Sequence, residues 1–121
     1  MNRRMERVNA VLRQEISRVL ASELKDPRLS SMVSITRVDT SPDLHLAKVY
    51  VSVLGNQGEK RVALRVLRSA SGFVRRRMRD RVAMRVVPAV RFYIDESIEQ
   101  GAAILKIIDE VYPGPESDQG S

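Results

Sequence analysis

The residues best suited to chemistry are cations. Between Lys60 and Arg85 the chain carries Lys60, Arg61, Arg65, Arg68, Arg75, Arg76, Arg77, Arg79, Arg81 and Arg85 against a single acid, Asp80. Guanidinium groups hold phosphate oxygens through planar, paired hydrogen bonds, so such an array suits a phosphate backbone. In its middle stands Ser69-Ala70-Ser71-Gly72. Glycine inside a helix costs about 1 kcal/mol against alanine, and serines compete for backbone hydrogen bonds. Two helices meeting at a break are therefore predicted. A break exposes N–H groups and the positive end of the second helix, beside the Ser69 and Ser71 hydroxyls. At ~100° per residue, Arg75, Arg76 and Arg79 point away from Ala70, Val74 and Met78 and are the first candidates for phosphate contacts. Arg65 and Arg68 precede the break and can reach the same backbone. Arg77, Arg81 and Arg85 flank the apolar stripe and form an outer set with Arg28. The plainer alternative is a solvated arginine face with a flexible joint, or, for Arg28, a surface arginine near a helix C-terminus.

Other chemistry finds little support in the residues. His45 is the only histidine and cysteine is absent, which excludes thiol catalysis, disulfides and Cys-ligated zinc. No P-loop, GxGxxG, HExxH or GxSxG occurs. Asp39, Asp43, Asp95 and Glu96 sit at element boundaries, where acids serve as turn formers and caps. No catalytic residue, metal or cofactor is expected. Tyr50 and Tyr93 are placed where they could stack a base, but cross-strand packing is the favoured role.

The elements that must position the cations follow from periodicity. Arg4 to Leu24 reads as a helix with Met5, Val8, Val11, Leu12, Ile16, Val19, Leu20 and Leu24 on one stripe, ended before Pro27. Met32 to Val38 reads as a strand, Asp39 to Asp43 as a turn. His45 to Leu54 reads as a second strand with Ala47, Val49, Val51 and Val53 inward. After the paired helices, Val86 to Ile94 is a third strand, with Pro88 at its start or on an edge. The two strands joined by a short link should pair antiparallel, and the two-helix crossover is long enough for a parallel pair. Asp95 or Ser97 caps a last helix whose buried side includes Ile98, Ala102, Leu105, Ile108 and Val111. The fold class is α+β, a three-stranded sheet with helices packed against it.

Composition agrees. The chain has 121 residues, 43% hydrophobic and 30% charged, with a net charge of +6, enough for one domain and an anionic partner. No apolar run approaches the ~18 residues of a membrane span, and the MNRRMERVNA start lacks a signal-peptide core. A single domain over 1–112 and a disordered tail over 113–121 are expected, in a cytoplasmic monomer.

The ordered motifs are similar to those of one family. The order helix, strand, strand, helix, helix, strand, helix resembles a type II KH-like fold, but Ala70-Ser71-Gly72 stands where most KH domains carry a GxxG loop. That replacement resembles the ribosome-binding factor A family. So do Lys25-Asp26-Pro27-Arg28-Leu29, Ser41-Pro42-Asp43-Leu44 with Ala47-Lys48-Val49-Tyr50-Val51, Arg85 with Pro88, and Arg91-Phe92 with Asp95-Glu96-Ser97. The resemblance covers roughly Arg4 to Ile108. It implies a bacterial-type, non-catalytic assembly factor. Such a factor binds the free 30S subunit and 16S rRNA near the decoding region, and supports late maturation and 5′-end processing. Carried over by position, Ala70, Ser71 and Gly72 form the break and the arginines beyond it the RNA-facing surface. The short tail has no basic residue and is assigned no RNA contact. A second reading is a protein-interaction adaptor whose basic face meets an acidic protein.

Overall fold

The computed structural model describes residues 3–24, 26, 29 and 33–97. Helix α1 (Arg3–Ser22) leads into β1 (Val33–Thr40) and β2 (Leu46–Val53), then α2 (Gln57–Ser69), α3 (Ser71–Arg81) and β3 (Ala89–Ile94). The sheet order is β1-β2-β3, with β1 antiparallel and β3 parallel to β2. The architecture is α+β and KH-like, as expected. The expected last helix, the 112/113 boundary, the tail and Arg28 lie outside the described residues.

The three described helices pack on one face of the sheet. Leu12, Ile16 and Val19 of α1, Ala63 and Leu67 of α2, and Val74 and Met78 of α3 meet Val49, Val51 and Phe92 in one core. Val11, expected on the α1 stripe, is 46% exposed. It lies between the residues that face the core and the solvent side, so the stripe is narrower than predicted.

β1 runs two residues past its expected end. Its register with β2 shifts between Ile35 and Arg37, so Thr36 is an extra residue in a bulge. Bulges reset the alternation. Ile35, Val38 and Thr40 therefore all point inward, and the strand runs on through Asp39 and Thr40, where the sequence predicts the turn. The turn starts at Ser41. The Ser41 hydroxyl donates to Asp43 Oδ1 at 2.7 Å, and the His45 N–H donates to the same oxygen at 3.1 Å. Leu44 takes the left-handed conformation with φ 64°. β3 begins at Ala89, three residues later than expected. The buried Pro88 immediately precedes it, because a proline has no N–H to give a ladder.

Candidate nucleic-acid interface

A single residue separates the paired helices. Ala70, at φ −89° and ψ −1°, ends α2 and precedes α3. Its N–H donates to the Val66 and Leu67 carbonyls at 3.0 and 3.1 Å, and its own carbonyl accepts from the Val74 N–H at 2.9 Å. The break is thus narrower than Ala70-Ser71-Gly72, since Ser71 and Gly72 form the first turn of α3. No side chain caps that turn, which leaves the orphan N–H donors of a helix start. The hydroxyls expected to join them are turned inward. Ser69 Oγ donates to the Val66 carbonyl at 2.9 Å and Ser71 Oγ to the Arg68 carbonyl at 2.8 Å. Serine near a helix end often bonds the preceding turn, so these two hydroxyls offer acceptor lone pairs to the surface.

The arginines fall into two groups. Arg65, Arg76, Arg79 and Arg85 are exposed and make no ion pair with a described residue. Gly72 lets the Arg76 guanidinium lie close: a Cβ there would stand 3.4 Å from Arg76 Nη1. Four others are tethered. Arg68 Nε donates to the Phe92 carbonyl at 3.2 Å and Arg75 Nε to the Val87 carbonyl at 3.1 Å. Arg77 and Arg81 both reach Glu23 beyond the end of α1, Arg77 Nε lying 3.4 Å from Oε2. Arg77 also covers the Phe73 ring, 5.1 Å from its centroid.

Two clefts gather some of these groups. One of about 340 Å³, beside the break, is lined by Arg68, Ser71, Arg91 and Phe92 among others. The second, of about 300 Å³, is lined by Arg75, Arg79 and Arg85 with Met84, Val86 and Val87. Among the described residues, neither is lined by an acid. Arg91 is a cation that the reading of the helices left out. The inward Val90 and Phe92 on either side fix it on the opposite face of β3, and that alternation was the available signal.

Asp95 and Asp43 serve structure. Hydrogen bonds from the Ser97 and Thr36 side chains and the Ser97 N–H, with Arg37 nearby, hold Asp95 down at about 2. The Ser41 hydroxyl and His45 N–H likewise lower Asp43. Among the described residues no group of His, Cys, Asp and Glu could hold a metal ion, and no helix is long and apolar enough to cross a membrane.

Comparison with known proteins fits this geometry. A family model described as ribosome-binding factor A matches residues 4–108. The ribosome-binding factor A of Acetivibrio thermocellus is 50% identical over 107 residues, 88% of this chain and 87% of that one. The crystal structure of ribosome-binding factor A from Thermus thermophilus aligns with a TM-score of 0.69 at 26% identity, covering 77% of this chain and 97% of that one. Ribosome binding factor A of the same organism, as a homology model fitted into the cryo-EM map of its complex with 30S, aligns with a TM-score of 0.56 at 26% identity, over 80% and 97% of the two chains. The family match spans both helices of the break and nearly the whole chain, and a relative is 50% identical over most of both sequences, so the chain belongs to the ribosome-binding factor A family.

Proposed function

We propose that this protein is a cytoplasmic, non-catalytic assembly factor that binds 16S rRNA on the free 30S subunit and supports late maturation and 5′-end processing. The observation that carries the reading is the set of exposed guanidiniums without described partners, Arg65, Arg76, Arg79 and Arg85, carried by the two helices that meet at Ala70 and by the segment that follows them. Helix-start donors and unpaired cations on a rigid support are what a sugar–phosphate edge needs. The relative fitted into a 30S complex supports the choice of partner. Arg68 and Arg75 take part while tethered through Nε, and Ser69, Ala70, Ser71 and Gly72 shape the approach. Arg77 and Arg81 serve in a lesser role because Glu23 draws on their charge.

Sedimentation of the tagged protein through a sucrose gradient of ribosomal particles tests the partner. Comigration with free small subunits and release by ribonuclease are expected. Retention of the main partner after ribonuclease would favour the adaptor instead. The surface is tested by Arg76→Glu/Arg79→Glu, which should weaken 16S rRNA binding with an unchanged far-ultraviolet circular dichroism spectrum. Normal binding by that variant would remove the helical face from the proposal.

A further inference from the structure

The sheet has a second face, which none of the described helices touches. On it the register places Arg37, Tyr50 and Tyr93 in one row across the three strands, and Asp39, Lys48 and Arg91 in the next. The two tyrosine rings stack with centroids 5.6 Å apart and planes 28° from parallel. The Arg37 guanidinium lies 4.2 Å from the Tyr50 centroid, and those of Arg91 and Arg68 lie 5.8 and 5.7 Å from that of Tyr93. Arginines thus lie against both tyrosines. A guanidinium held flat against a ring keeps its N–H edge free for an anion, and the stacking limits the rotamer freedom lost on binding.

Arg37, Lys48 and Arg91 are exposed, and no described carboxylate comes within ion-pair distance of them. Asp39 is the one acid within the two rows. Asp95, at the end of the sheet, has its carboxylate oxygens occupied by the Thr36 hydroxyl at 2.5 Å and the Ser97 N–H at 2.9 Å. The face also joins the helical surface. Arg91 lines the cleft beside the break together with Arg68 and Ser71, and Arg68 spans the β3 edge from the Phe92 carbonyl to the Tyr93 ring.

We infer that the open sheet face, through Arg37, Lys48 and Arg91 braced by the Tyr50–Tyr93 stack, is a second RNA phosphate-binding surface that carries the backbone round the β3 edge from the helical break. The choice of RNA rests on the function proposed above; the surface itself rests on the sheet geometry.

Purified 16S rRNA and the full-length chain, titrated between 50 and 200 mM salt, supply the test. Each phosphate contact adds about 0.7 to 0.9 to the log–log slope. Arg37→Gln/Lys48→Gln/Arg91→Gln should therefore lower the slope by about 2 to 2.7, so that wild-type affinity falls about 20- to 40-fold further across that range than the variant's. An unchanged slope overturns the inference. If the triple variant does not fold, Ser52→Lys adds a cation on the same face and should raise the slope by about 0.7 to 0.9; no rise overturns it equally. Arg76→Glu/Arg79→Glu, measured in parallel, separates the two surfaces. Loss there with a normal sheet variant leaves only the helical surface standing. Loss in the sheet variant with a normal helical variant upholds the sheet face and removes the helical one.

Discussion

Glu23→Gln is expected to move stability and RNA binding in opposite directions. Glu23 lies just beyond the C-terminus of α1, where a carboxylate faces the negative end of the helix dipole. What keeps it there comes from α3, since Arg77 and Arg81 converge on its two oxygens. The side chains are 25%, 50% and 33% exposed respectively, so each pair belongs near the surface limit of about 0.2 to 1 kcal/mol. Oε2 is itself buried and accepts no hydrogen bond from a described residue; the contact with Arg77 is Coulombic, which places that pair at the weak end. Glutamine keeps the shape and removes both attractions, at a cost of about 0.5 to 2 kcal/mol and a melting temperature lower by several degrees. The same change frees two guanidiniums and deletes an acid beside the cationic helix. If both then meet phosphate, the slope of log affinity against log salt steepens by about 1.4 to 1.8, about 7- to 12-fold in affinity between 200 and 50 mM salt. Thermal unfolding and fluorescence anisotropy on the same preparations read the two effects. An unchanged slope at reduced stability would show that Arg77 and Arg81 face away from the RNA. Unchanged stability would refute the ion-pair reasoning itself.

Three further outcomes are expected. Phe92 is fully buried at the centre of the core, so Phe92→Ala should cost about 3 to 5 kcal/mol, read from the denaturant midpoint; a loss under about 1.5 kcal/mol would mean the site collapses around the smaller side chain. Asp95 sits at about 2, below its ordinary 3.8, so its contribution to stability is present above pH ~4 and is lost as pH falls through 2. Thr36→Val removes one of its donors and should raise the value towards 3.8, moving that loss to higher pH; an unmoved carboxyl titration followed by nuclear magnetic resonance would contradict this. Gly72 is helical, and a Cβ there would meet only the far end of Arg76. Gly72→Ala should therefore stabilise the protein by about 0.5 to 1 kcal/mol yet weaken RNA binding if the backbone of the ligand approaches at that point. Tighter binding by the alanine variant would refute a close approach.

What the sequence made legible were the features that depend on near neighbours in the chain. Ala47, Val49, Val51 and Val53 alternate because only one face of the sheet is covered by described helices, and β2 lies within a residue of its expected bounds. The break was located because Gly72 and two serines oppose helix continuation, although it narrows to Ala70. The inward turn of the serine hydroxyls also follows from a local rule. Features set by distant residues were hidden. The Thr36 bulge is invisible because Val33 to Val38 reads as an ordinary strand until β2 supplies the register. Alternation puts Tyr50 and Tyr93 on one face, but only the parallel register makes them neighbours, and no turn length fixes the register of a crossover. Nor does spacing on α3 show that Arg75 anchors to Val87 or that Arg77 and Arg81 bend towards Glu23.

Those anchors bear on whether the break is a joint or a fixed corner. A one-residue interruption between two helices would ordinarily leave the angle between them soft. Here Val66 and Leu67 on one side and Val74 and Met78 on the other are buried. The flanking arginines then tie each helix to the β3 segment: Arg68 to the carbonyl of Phe92, and Arg75 to that of Val87, just before the strand begins. Both bonds are made by charged donors, which are stronger than neutral ones. The corner is therefore braced against the β3 segment, and the exposed Arg65, Arg76 and Arg79 project from that braced frame. Preorganised cations lose less conformational entropy on meeting a phosphate than cations on a swinging arm. On the proposed surface, the tethered arginines would strengthen phosphate binding by fixing where their untethered neighbours stand.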